Sequence, residues 1–282
     1  MFELCANAAR ACASVAAGGF LDPSNTLSAN AAAFWVFGIA TTLIVAASIV
    51  VAVVETYRLR SPLPPVVFVS ATLWLPNEPL VDAIIGFHYA ADSPIILFTL
   101  WDRAIPLGAL GIGAMFFLFP WAIYRMATHR VPMTRIVAVC LIAGVIDWFM
   151  EWAAIHWKLF EYYGNNPLRI LGLPTTSMAQ NSFIYALMAA AILLAAPRLQ
   201  GWRVLLFLPV MPGLYLGGAA LCTWPAYLGV HTHWPTLVVV ALAAVSTAMN
   251  VYIPLSALTI AKRTPPPHDE PAAARSLDTV AG

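Results

Sequence analysis

The sequence predicts an all-α polytopic membrane bundle of about seven transmembrane helices, and three observations carry that expectation. Of its 282 residues, 61% are hydrophobic and only 10% are charged, with a mean hydropathy of +0.80. Soluble domains carry roughly 25% charged residues, so the composition argues against a water-soluble fold. Apolar runs approaching the about 20 residues that span a bilayer as a helix recur along the chain. Basic residues collect at alternate ends of those runs, as the positive-inside rule requires of a polytopic protein.

The elements follow in order. Residues 1–30 form an N-terminal segment without a basic stretch leading into an apolar core, so no cleaved signal peptide is expected. The bundle occupies residues 31–262. Its first run is Ala31 to Val54, closed by Glu55, Arg58 and Arg60. Pro62, Pro64 and Pro65 open a shorter run, Val66 to Trp74, which Pro76, Asn77, Glu78 and Pro79 interrupt; a short or broken helix is expected. A polar stretch with Asp82, His88, Asp92, Asp102 and Arg103 leads to the third span, Ile105 to Ile123. The fourth, Ile136 to Trp152, is expected to continue amphipathically through His156, Lys158 and Glu161. Ser182 to Ala196, Val204 to Leu221 and Trp234 to Ile260 complete the set. Pro209, Pro212 and Pro254 predict kinks. Residues 263–282 are a proline-rich polar tail with too little apolar surface to fold.

If all seven runs cross, nine of the basic residues fall on one side and Arg10, Arg103, Lys158 and Arg169 on the other. That bias predicts an outside N-terminus and a cytoplasmic C-terminus. A net charge of +1 gives no basis for nucleic-acid binding. Cys140 and Cys222 lie in apolar runs and read as small hydrophobes; a Cys5–Cys12 disulfide stays open.

Function is sought where charge enters apolar runs. Asp147 and Glu151 are four residues apart in VAVCLIAGVIDWFMEW, which stacks both on one helix face. A carboxylate near the bilayer centre costs at least about 2.5–3.5 kcal/mol, so such groups normally face a cavity or a partner. A protonated and an ionised carboxyl side by side make an acid/base couple. The alternative is plain hydrogen bonding to neighbouring helices. Glu78 and Asp82 repeat the spacing in LPNEPLVDAIIGF, where Glu78 also suits a helix N-terminus. Asp102 and Arg103 form a polar knot that suits either substrate contact or an interfacial anchor. Trp148 and Trp152 beside the acids offer ring faces to a cation. In the loop EYYGNNPLRILGLPTTSMAQN, Tyr162 and Tyr163 suit substrate positioning or an interfacial belt, and Asn181 suits a helix cap or a cavity contact. The HTH of His231 and His233 lacks a third nearby ligand, so no metal site is expected there.

An acidic membrane helix leading into E-Y-Y-G-x-x-P, then G-x-P and an Asn, resembles the AveC-like family of actinobacterial membrane proteins, named after the spirocyclase of avermectin biosynthesis. The residues that carry the resemblance are Asp147, Glu151, Tyr162, Tyr163, Gly164, Pro167, Gly172, Pro174 and Asn181, with Glu78, Pro79 and Asp82 upstream. It spans residues 75 to 185. The stretch TTSMAQN departs from the aromatic-rich segment expected before the Asn. The resemblance implies dehydration and spiroketal formation on a polyketide-like, lipophilic substrate within membrane lipid. Glu151 and Asp147 would be the acid/base couple, Glu78 and Asp82 the supporting pair, and Tyr162, Tyr163 and Asn181 the positioning groups. Such chemistry needs neither metal nor redox cofactor. A carotenoid or terpenoid cyclase or hydratase is the chemical alternative, and a proton-coupled transporter the alternative of another class.

Overall fold

A computed structural model describes residues 25–264. Those residues form an all-α membrane bundle, in which six helical segments are long and apolar enough to cross a bilayer. The chain runs through α1 (Ala31–Leu59), α2 (Leu63–Thr72), a 3-10 turn (Leu75–Asn77) and α3 (Glu78–Ile85). After three short strands come α4 (Leu110–Thr128), α5 (Met133–His156), α6 (Thr175–Ala195), α7 (Val210–Val230) and α8 (Thr236–Arg263). The N-terminal segment and the polar tail of the sequence reading lie almost wholly outside the described residues.

The second passage is broken, as its prolines predict. It still runs the full height of α7. Ser70 Oγ donates to Phe207 O at 2.9 Å or Leu208 O at 2.8 Å and accepts from Met211 N at 3.2 Å, at the start of α7. At the far end of α7, His231 Nε2 lies 3.0 Å from Ile84 O. Pro79 sits in the first turn of α3, where a missing N–H leaves no bond unmade. The interruption puts Glu78 and Asp82 on a short helix of their own.

Three expectations need correction. Pro209 and Pro212 do not kink a continuous span: Gly201–Phe207 is a 3-10 helix and α7 starts afresh after Pro209, with Pro212 in its first turn. The first turn accepts proline because its N–H groups have no intrahelical partner. Secondly, α6 begins at Thr175, seven residues earlier than the apolar run, so Asn181 lies within the helix and does not cap it. Its polar first turns face a cavity, which hydropathy alone penalises. Thirdly, α5 stops at His156; Lys158 takes a left-handed conformation and Glu161 belongs to a strand. Pro254 does lie inside a helix, α8, as expected. Cys140 and Cys222 are buried free thiols.

Three two-stranded antiparallel ladders cap one end of the bundle: β1 (Phe87–Tyr89) with β4 (Phe160–Tyr162), β2 (Ile96–Leu100) with β3 (Arg103–Pro106), and β5 (Arg169–Ile170) with β6 (Leu173–Pro174). In the first, Phe87 faces Tyr162, His88 faces Glu161 and Tyr89 faces Phe160. Side chains alternate across a strand, so the four outer positions share one face and His88 and Glu161 the other.

Candidate functional site

The aromatic face of the β1–β4 ladder roofs a cavity of about 1150 Å³, counting the space at its mouth. Phe87, Tyr89, Phe160 and Tyr162 all line it. Phe87 packs on Phe160 and Tyr162 with ring centroids 4.6 and 5.1 Å apart. Lower down the walls come from α1, α4, α5 and α6, and from Trp74, Phe116 and Tyr215, whose rings cluster at 4.7–5.1 Å.

All four carboxylates singled out from sequence reach this one cavity. Asp147 and Glu151 come from α5, Glu78 and Asp82 from α3. Their lateral spacing follows from the helix period; their convergence is a tertiary fact. Glu151 lies close enough to both Asp147 and Glu78 for the charges to act on one another. Among the described residues, no Lys, Arg or His side chain lines the same walls. The buried Glu55 at the opposite end of the bundle shows the contrast, since Arg125 and Arg58 approach it at 3.2 and 3.4 Å.

The α5 pair is held by donors from α6 and the roof. Asn181 Nδ2 donates to Asp147 Oδ2 at 2.7 Å and to Glu151 Oε1 at 3.0 Å, so one amide group bridges both carboxyls. Tyr162 donates to Glu151 Oε2 at 3.0 Å, and its oxygen lies 2.8 Å from Ser177 Oγ. Burial first, and the Glu151 charge after it, pushes the Tyr162 phenol well above its ordinary pKa, so it remains a hydrogen-bond donor. The bridge needs α5 and α6 to touch. At Gly144, one turn before Asp147, a Cβ would lie 1.8 Å from Ser182 Oγ and 2.7 Å from Ser182 Cβ. Only glycine permits that approach.

The α3 pair is more deeply buried, Glu78 at 4% and Asp82 at 2% exposure. Tyr89 donates to Glu78 Oε1 at 2.7 Å, while Asp82 Oδ2 has no hydrogen-bond partner among the described residues. Glu78 opens α3 without capping it through its side chain. Arg103 lies behind the pair, off the cavity wall, near enough to act on Asp82's charge. Its guanidinium donates to Phe87 O at 2.6 Å and to the Tyr163 hydroxyl at 2.7 Å.

Five residues expected to contact substrate therefore lie off the cavity wall. Arg103 and Tyr163 pair with each other behind the roof. Asp102 is exposed at the tip of the β2–β3 hairpin, left-handed together with Trp101. Trp148 and Trp152 follow the acids along α5, but adjacent helical positions point about 100° apart. Trp148 packs against Phe149 and Trp152 stacks on His156, neither lining the cavity. Sequence reasoning missed Tyr89, Ser177, Tyr185 and Tyr215. Ser177 alone had a signal, lying four residues before Asn181 on the same helix face. Arg169 was also missed: it ties the YYG loop by donating to Asn166 O at 3.0 Å and Tyr162 O at 3.1 Å. Gly164 in that loop has a φ of +77° and packs so closely that a Cβ would meet Val230 O at 2.5 Å.

Neither a family model, nor a curated protein, nor a solved structure matches the chain. The chemistry is therefore read from the cavity itself, which combines proton-bearing groups with an aromatic wall. Carboxyls deliver and accept protons, ring faces stabilise a passing cation, and a largely apolar enclosure suits a lipophilic ligand.

Proposed function

We propose that this protein is a membrane-embedded acid/base catalyst that cyclises or dehydrates a lipophilic substrate. The observation that carries the reading is the convergence of four carboxylates in one aromatic-walled cavity, without a basic side chain on its walls among the described residues. Glu151, held by Tyr162 and Asn181, is the general acid, and Asp147 the base. In the spiroketal version Glu151 protonates a hemiketal hydroxyl, water leaves, and an oxocarbenium ion forms between the aromatic rings. A second hydroxyl of the substrate attacks that carbon, and Asp147 takes its proton. The resemblance of the segment from residue 75 to 185 to spirocyclase-type membrane proteins favours this version over alkene or epoxide protonation. The protein would work in the bacterial plasma membrane with its C-terminus cytoplasmic and the ladder-capped end outside, the orientation that the charge bias favours.

The test is direct. Protein reconstituted in lipid nanodiscs is incubated with a long-chain dihydroxyketone, and the loss of one water with ring closure is followed by mass spectrometry. Ring closure that disappears in Glu151→Gln supports the reading. An unchanged ketone overturns the spiroketal version, and conversion of a polyene in its place would favour the terpenoid alternative. A proton-coupled transporter is the second reading, because intramembrane carboxylates also serve proton relays. Acidification-driven uptake into vesicles without any new product would support it. Reporters fused after Arg263 and within residues 163–166 should read cytoplasmic and external respectively; the reverse from both would overturn the orientation.

A further inference from the structure

A second, smaller cavity of about 310 Å³, counting the space at its mouth, lies beside the first, under the loops at the ladder-capped end. Its walls mix apolar surface with polar side chains, Asn166, Thr176, Gln180, Thr223 and Tyr227 among them. Tyr162 and Ser177 line both cavities. They also form the hydrogen-bonded chain that ends on Glu151, through steps of 2.8 and 3.0 Å.

The direction of that chain is set by counting hydrogens. Tyr162 has one hydroxyl hydrogen, and it is given to Glu151 Oε2. Ser177 must then donate to the Tyr162 oxygen, which leaves the Ser177 oxygen free to accept from the smaller cavity. A small space with polar side chains around it suits a hydrogen-bonded water.

We propose that Ser177 and Tyr162 form a proton relay that reloads Glu151 from water held in the smaller cavity. The proposal rests on the reading of Glu151 as the acid. A hydronium ion in that cavity gives its proton to Ser177 Oγ; Ser177 passes its own hydrogen to the Tyr162 oxygen; Tyr162 passes its hydrogen to Glu151 Oε2. Both hydroxyls end neutral, the hydronium becomes water, and the Glu151 carboxylate becomes a carboxylic acid.

The experiment follows hydrogen–deuterium exchange at the Glu151 carboxyl by infrared spectroscopy, on the full chain in lipid nanodiscs transferred to D2O. The C=O band is assigned by its loss in Glu151→Gln. Ser177→Ala removes one oxygen and leaves the Tyr162–Glu151 bond in place; Tyr162→Phe breaks the chain at its other link. Each should slow exchange by roughly 10²-fold, the low end of what a positioned proton donor contributes, and Ser177→Thr should restore it. Wild-type exchange in folded Ser177→Ala or Tyr162→Phe protein overturns the relay and leaves the acid role standing. A Glu151 carboxyl that shows no protonated band at any pH where the protein is folded overturns the acid role and the relay together.

Discussion

Asp147 and Glu151 on α5 and Glu78 and Asp82 on α3 share a four-residue spacing and one cavity, yet they are held in different ways. The α5 pair meets Asn181, Tyr162 and, through Tyr162, Ser177, all hydrogen-bonding groups that can rearrange as charge moves. The α3 pair is buried more completely, has one phenol as donor, and lies in front of the fixed charge of Arg103. Helical spacing tells which acids share a face, but what each can do depends on its donors. On the proposed reading α5 holds the working pair, and α3 supplies a second, supporting pair of carboxyls to the same cavity.

The largest expected effect tests the first half of that statement. Glu151→Gln keeps shape and hydrogen bonding but delivers no proton, so turnover should fall about 10²–10⁴-fold, with thermal unfolding in detergent unchanged. Near-normal turnover would reverse the roles of the two pairs. Gly144→Ala disturbs only the α5 pair: the new methyl drives Ser182 and its backbone off α5 and opens the Asn181 bridge. Overpacking of this kind costs roughly 1–3 kcal/mol, read as a lower unfolding temperature, and a stable Gly144→Ala protein would show that the helices have room to spare.

Glu78→Gln alters the supporting pair without touching the proton donor. Turnover should drop by about tenfold or less, equivalent to at most ~1.4 kcal/mol of barrier. A loss matching that of Glu151→Gln would make the α3 pair a second acid centre. The smallest effect expected is that of Tyr89→Phe, which deletes one hydrogen bond to Glu78 and should lower stability by about 1 kcal/mol in an unfolding titration. A change within error would mean that Glu78 finds another donor in the cavity.

Much of this arrangement was legible in the sequence, for stated physical reasons. Hydropathy marks the spans because lipid demands apolar surface, and Pro76 and Pro79 mark the broken passage because proline cannot donate. The four acids stand out because charge is costly in lipid. What escaped depends on contacts distant in the chain. Strands of two to five residues have too few alternations to be recognised, and β1 pairs with a segment more than seventy positions away. The start of α6 was hidden because Thr176, Ser177 and Asn181 serve cavities and look like loop. Trp148 and Trp152 misled because an apolar helix that meets both protein and lipid offers no amphipathic pattern to say which side faces in.

The pairing of β1 with β4 also sets an order of events. His88 and Glu161, the central pair of that ladder, are 73 residues apart, so the roof cannot close until α4 and α5 have both left the ribosome. At about 5–20 residues per second, that interval is roughly 4–15 s. Until then the acids of α3 wait without the aromatic roof, and Asn181 follows later still. If the proposed function holds, each new copy is thus inert while it is being inserted, and no reactive cation forms among nascent helices and lipid.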